Sequence, residues 1–231
     1  DLFDLDGFDP NRNPHAGSGD QYQLEVVTPD QLLSLLERRE LELRRRLEQI
    51  LLELTEMRDS LVRVKNELDT QVAVSEPTGE GSDESAEDRA VSQSAEPGDE
   101  PLTAEEKAAR VIALRKLRVQ RGVNQSEKSR GETEGVGQAL LDVVAQIENN
   151  RVDTEDRKER LRDQVAGPLL ELAADDFVEL DGRLAELNKE VNRMSEQERK
   201  TAALAAEHAI AQTDEVLLKL DNLLAKMVDM E

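Results

Sequence analysis

Cysteine is absent from this 231-residue chain, and so is tryptophan; one Tyr and three Phe leave aromatics at 2% of residues. Without thiols there is no disulfide framework and no thiolate chemistry. With so few aromatics, the large buried areas that anchor a compact core are scarce. No apolar run reaches the ~20 residues that a membrane-spanning helix needs, and no leader pattern is visible. Positive charge is scarce: 30 Lys and Arg face 52 Asp and Glu, a net charge of −22. Binding to DNA or RNA requires a cationic surface that displaces counterions from phosphates, and anionic lipid repels so acidic a chain as well. The composition therefore excludes nucleic acid as a partner of the chain as a whole. Because the first residue is Asp1, the chain is expected to be a fragment of a longer protein or a processed product, with any anchor or signal lying upstream.

What the sequence does contain is Leu, Ala, Val and charge, with 35% of residues charged. That composition, carried on a heptad period, indicates long helices that bury a narrow seam. The expected fold is mainly α: long coiled-coil helices or an antiparallel helical bundle, preceded by a short β-strand. The strand is the alternation of Tyr22, Leu24 and Val26 with Gln21, Gln23 and Glu25, a period of two. A lone strand cannot form a sheet, so residues 1–27 read as the end of a truncated β domain, or as an extended linker.

Residues 28–74 read as one long coiled-coil helix. Thr28 caps it, Pro29 suits the first helical position, Asp30 favours the positive helix end and Gln31 completes a capping box. Leu33, Leu36, Glu40, Leu43, Leu47, Ile50, Leu54, Met57, Leu61, Val64 and Leu68 then step by three and four, with Glu40 the one polar member. Residues 75–101 carry nine acids and one Arg, and are expected to be a disordered acidic linker because they offer nothing to bury.

Residues 102–231 read as a helical coiled-coil bundle with breaks near 135, 167 and 195. A second capping box opens it at Thr103 and Glu106. The glycines at 131, 135 and 137 each cost helix stability of about 1 kcal/mol relative to Ala, which predicts the first break. Gly167–Pro168 predicts the second, since proline removes a helix hydrogen bond. A slip of phase between Ser195 and Lys200 predicts the third. The seams between them are Leu140, Val144 and Ile147, returning at Leu161 and Val165; Phe177, Leu180, Leu184, Leu187, Val191 and Met194; and, at the end, Ala203, Ala206, Ile210, Thr213, Leu217, Leu220, Leu224 and Met227. Folding back at these breaks would lay the basic 104–130 stretch beside the acidic 131–231 stretch, with helix 29–74 docked on the result or on a second copy.

Chemistry-bearing patterns are sparse. Asp4, Asp6, Gly7 and Asp9 resemble half a calcium loop but lack the terminal Glu. His15 and His208 have no neighbouring ligand set, and the Gly131–Gly137 stretch follows no strand that would make it a phosphate cradle. The sequence thus predicts no catalytic residue, no cofactor and no metal. The one candidate binding patch is Lys107 to Arg130: between Ala104 and Arg130, eight Lys or Arg stand against three Glu. Its expected counterparts are, in order, the chain's own 75–101 segment, an external acidic protein, and a nucleic acid or lipid surface. No aromatic is interleaved for base stacking.

Two stretches carry a family resemblance: PHAGSGDQYQLEVVTPDQLLSLLERRELELRRRLEQI from Pro14, and IENNRVDTEDRKERLRDQVAGPL from Ile147. Their succession of strand, capped start and Arg-rich helix resembles the C-terminal coiled-coil region of large, membrane-anchored bacterial envelope proteins. The resemblance implies upstream membrane segments and β-sandwich modules, with this region outside the cytoplasm. The expected role is a non-enzymatic scaffold acting by helix–helix association, as a homo-oligomer or with other protein helices. A cytoplasmic signalling or adaptor coiled coil is the competing expectation, and the stalk of an upstream enzyme a third.

Overall fold

The structure is a computed structural model that describes residues 27–75, 103–193 and 198–228. The expected strand over 21–27 and the acidic linker over 75–101 lie, but for their edges, outside these residues. Among the described residues every regular element is helical: α1 (Pro29–Ser75), α2 (Ala104–Asn150), α3 (Glu155–Glu159), a π-helical segment (Arg160–Ala166), α4 (Gly167–Ala174), α5 (Asp176–Arg193) and α6 (Arg199–Val228). α3, the π segment, α4 and α5 follow one another with little interruption and act as one arm.

Both long helices begin as the sequence dictates. The Thr28 amide donates to Gln31 Oε1 at 2.9 Å, and the Gln31 amide donates to Thr28 Oγ1 at 3.3 Å. Thr103 and Glu106 make the same reciprocal box at the start of α2, so donors left over at each helix start are satisfied. α1 and α2 each have 47 residues, about 70 Å at 1.5 Å per residue.

Four helical arms form a ring. α1 packs on α2 and α6, and α5 packs on the same two helices from the opposite corner. Cross-helix pairs give the directions. Along α1, Arg39, Arg46 and Glu53 meet Asp142, Glu132 and Lys128 of α2 in descending order. Arg58 and Lys65 meet Asp214 and Glu207 of α6, again descending. Neighbouring arms are therefore antiparallel. The interior is aliphatic: Leu47, Ile50, Leu54, Leu61, Val64 and Leu68 of α1 face Val119, Leu140 and Val144 of α2, Leu180, Leu184, Leu187 and Val191 of α5, and Ala206, Ala209, Val216 and Leu220 of α6.

The expected break near 135 does not occur, because α2 runs unbroken through Gly122, Gly131, Gly135 and Gly137. Two of these glycines are helix contacts. A Cβ at Gly137 would lie 3.0 Å from Leu170 side-chain carbons and 3.3 Å from the Ala166 carbonyl, so its bareness admits the third arm. Gly122 sits between Met57, Leu61 and Leu184. Tertiary packing here outweighs the low helix propensity of glycine. The chain instead reverses at Arg151–Thr154, where Arg151 takes a left-handed conformation (φ 54°) and its amide donates back to the Ile147 and Glu148 carbonyls. This is an αL helix end with Arg in the place usually taken by Gly.

Gly167–Pro168 does not end the helix either. The preceding turns widen into the π segment, and the Gly167 amide reaches back five residues to the Arg162 carbonyl. Widening gives the chain a way past Pro168, which lacks an amide proton and crowds the previous turn. A small discontinuity appears later, at Asp175, between α4 and α5. The third expected break coincides with the α5–α6 connection, of which residues 194–197 are outside the described set.

Candidate interaction surface

Of the seam residues named from sequence, Leu36, Leu43, Leu47, Ile50, Leu54, Met57, Leu61, Val64 and Leu68 are buried along α1, and Leu180, Leu184, Leu187 and Val191 along α5. Leu33 is only half-buried, at the end of α1 where fewer neighbours cover it. On α6 the expected seam holds in part: Ala203, Ala206, Thr213 and Met227 are buried and Ile210 is half-buried. Leu220 is buried, but Leu217 and Leu224 are half-buried and Val216 and Leu223 occupy the interior in their place. The reason is geometric: α6 packs on both α1 and α5. Its buried stripe is therefore wider than a two-helix seam, and it is centred on the small residues Ala202, Ala205, Ala206 and Ala209.

Polar groups enter the interior where α2 carries small side chains. Ser126 Oγ donates to Asp181 Oδ1 at 2.6 Å, and Arg130 Nη1 lies 3.2 Å from the other oxygen of that carboxylate. Gln125 Nε2 donates to Glu53 Oε2 at 2.6 Å and to Ser129 Oγ at 3.1 Å, and Lys128 Nζ reaches the same Glu53 oxygen at 2.7 Å. The Lys128 ammonium and the Gln49 and Gln125 amides hold the Glu53 carboxyl down at about 2. Thr133 is buried and donates to the Ser129 carbonyl at 2.8 Å. Sequence reading missed this layer because Ser126, Arg130 and Thr133 look only like a weakening of the seam.

The basic half of α2 splits into two groups. Arg115 is fully buried, with its Nε 3.7 Å from Glu67 Oε2; Arg118 pairs with the same carboxylate, Lys128 with Glu53 and Arg130 with Asp181. Internal matching thus uses carboxylates of α1 and α5. The 75–101 segment expected for that role lies, but for Ser75, outside the described residues. Arg110, Lys116 and Arg121 form the second group, and among the described residues no carboxylate ion-pairs with them. Beside them, Val111, Ile112, Leu114 and Leu117 keep 38–46% of their surface exposed within two helical turns. Arg110, Leu114, Leu117 and Arg121 step by four, three and four along the outer face of α2, the spacing of a helix-binding stripe. Alongside runs an open groove of about 540 Å³ between α1 and α2, bordered by Glu56, Met57, Arg121, Gly122 and Lys128.

Other candidates fall away. Asp4, Asp6, Asp9 and His15 are outside the described residues, and His208 is exposed on α6. Among the described residues no group of His, Asp or Glu is arranged to hold a metal, and no helix is long and apolar enough to cross a membrane. No protein-family model, curated protein or solved structure gives a significant match to the chain.

Proposed function

We propose that this chain is a non-enzymatic scaffolding module of the bacterial cell envelope, built on coiled-coil-type packing, that joins partners by helix–helix association. The observation that carries the reading is the pairing of two features. The four arms fill their common interior with aliphatic side chains, and α2 turns a further helix-spaced stripe, Leu114 and Leu117 between Arg110 and Arg121, toward solvent. The first feature supplies a rigid spacer, and the second supplies a place to hold something. Membrane tethering through a segment outside this chain and assembly with copies of itself belong to the same reading, which rests for them on the resemblance of the Pro14–Ile50 and Ile147–Leu169 stretches.

A cytoplasmic signalling or adaptor bundle is the second reading. The polar layer around Asp181 and Glu53 favours it, because a polar layer gives a helical bundle a register that a signal can shift. Two experiments separate the readings. Fractionation of the native host should place the protein with the envelope; recovery with the cytosol supports the adaptor. Sedimentation equilibrium should give a mass above that of one chain, and a monomer at all concentrations would remove self-assembly from the account.

A further inference from the structure

We propose that the outer stripe of α2, Arg110–Leu114–Leu117–Arg121, is a docking site for an acidic amphipathic helix of another protein. Among the described residues the stripe is a helix face with no neighbour. Residues one step inward, Arg115 and Val119, are fully buried against the bundle, whereas Leu114 and Leu117 point away from it and are 44% and 46% exposed. Exposed Leu occurs singly elsewhere, as at Leu52 and Leu218, and single exposures are ordinary. Here Leu114 and Leu117 lie one turn apart on a single face of α2, flanked on that face by Arg110 and Arg121.

Charge selects the occupant. The chain carries −22, yet the segment containing the stripe carries eight Lys or Arg against three Glu. Where α2 faces its own bundle, it meets carboxylates: Glu53, Glu67 and Asp181 neutralise Lys128, Arg118 and Arg130. Arg110 and Arg121 repeat that chemistry outward without a partner among the described residues. A helix presenting Leu or Ile at its seam and Glu or Asp at the flanking positions would complete the same pattern, with aliphatic contact supplying affinity and charge setting register and direction. An anionic bilayer fits less well. It is flat and wide, and it would meet Glu56 of the adjoining α1, which borders the same groove as Arg121, together with the cations, whereas a docked helix touches a strip only one helix wide.

The proposal rests on the reading of the chain as a helix-association module, and deepens it. The full chain is titrated into a fluorescent three-heptad peptide with Leu at the seam and Glu at the flanking positions. The same peptide with Lys for Glu, and phosphatidylserine vesicles, are measured in parallel. Saturable binding of the Glu peptide is expected, with no binding of the Lys peptide or the vesicles. Leu114→Ser with Leu117→Ser should weaken it by about tenfold or more, as loss of a small apolar hot spot does. Arg110→Glu with Arg121→Glu should transfer binding to the Lys peptide, and Leu218→Ser on α6 should change nothing. All are exposed positions, so unchanged melting curves are expected and are checked first.

No saturable binding, equal binding of both peptides, or vesicle binding abolished by the same substitutions would overturn the proposal. Binding that emerges only when residues 77–100 are deleted would assign the stripe to the chain's own acidic segment. A drop in sedimenting mass in the Leu114→Ser, Leu117→Ser variant would assign it to a second copy. The broader scaffold reading fails on a different result, namely Leu47→Asp with Leu54→Asp leaving helicity and mass unaltered.

Discussion

Arg157 donates to Glu40 at 2.8 Å across 117 positions of sequence, and the same guanidinium lies 2.8 Å from Asp153. The contact clasps the turn after α2 to the first half of α1. It also explains the one polar member of the α1 seam: Glu40 is where that seam meets a charged helix start instead of an aliphatic one. Burial raises the Glu40 carboxyl above its ordinary range, with Arg157 pulling it partly back. Arg157→Met should therefore destabilise the fold by about 1–3 kcal/mol, since Glu40 is left partly desolvated without its partner. Glu40→Leu combined with Arg157→Met should recover much of that loss. Urea denaturation of the four proteins in a double-mutant cycle measures the coupling, expected at about 0.5–3 kcal/mol.

Acid should weaken the bundle through Glu53. Its folded pKa, about 2, lies below the unfolded Glu value of about 4.3. The stabilisation is fully present above the unfolded value and is lost as pH falls toward the folded one. Glu40 works in the opposite sense: its raised folded pKa makes it bind a proton more readily when folded, so its contribution improves as pH falls. Stability measured from pH 6 to pH 2.5 should thus decline less steeply in Glu53→Gln than in the native sequence. An unchanged slope would remove Glu53 from the acid response.

Glycines of a single helix should respond to alanine with opposite signs. Nothing lies within 4 Å of a Cβ added at Gly131 or Gly135, so Gly135→Ala should stabilise by up to about 1 kcal/mol. At Gly137 the added carbon meets Leu170 at 3.0 Å and the Ala166 carbonyl at 3.3 Å. The side chain can turn aside but the carbonyl cannot, so Gly137→Ala should destabilise by about 1–3 kcal/mol. Thermal melts followed by circular dichroism decide the signs.

Interior and exterior leucines two residues apart on α1 give a fourth comparison. Leu54 is fully buried and Leu52 is 54% exposed. Leu54→Ala should cost about 2–5 kcal/mol, and Leu52→Ala should stay within about 0.5 kcal/mol. Equal effects at the two sites would contradict the assigned face of α1.

The α1 face was legible in the sequence because its period is long, regular and bounded by a recognisable cap. The α5 seam was legible for the same reason. The unbroken course of α2 was not, because propensity marks Gly137 as a weak point while only the approach of Leu170 and Ala166 shows its use. The reversal at Arg151 was hidden as well, since Arg at a left-handed position carries no turn signal of its own. On α6, heptad counting found Ala203, Ala206, Thr213, Leu220 and Met227, but packing against two helices at once widens the buried stripe to take in Val216 and Leu223 and leaves Leu217 and Leu224 half-buried. The basic patch was visible as a run of positive charge. Which of its cations face inward to Glu53, Glu67 and Asp181, and which face out with Leu114 and Leu117, depends on the rotation of α2 in the bundle.

The central claim is that the chain folds back on itself, with α6 antiparallel to α1, and the absence of cysteine makes a direct test clean. Lys65 and Glu207 lie 3.2 Å apart across that pair. Lys65→Cys with Glu207→Cys, carrying spin labels, places the two probes on neighbouring helices whose axes are about 10 Å apart. Pulsed dipolar spectroscopy should give a single short distance that persists when the labelled protein is diluted with an excess of unlabelled chain. Helices continued end to end would separate the labels by roughly 210 Å at about 1.5 Å per residue, and no dipolar signal would remain. That outcome, or a short distance that vanishes on dilution, would contradict the intrachain bundle.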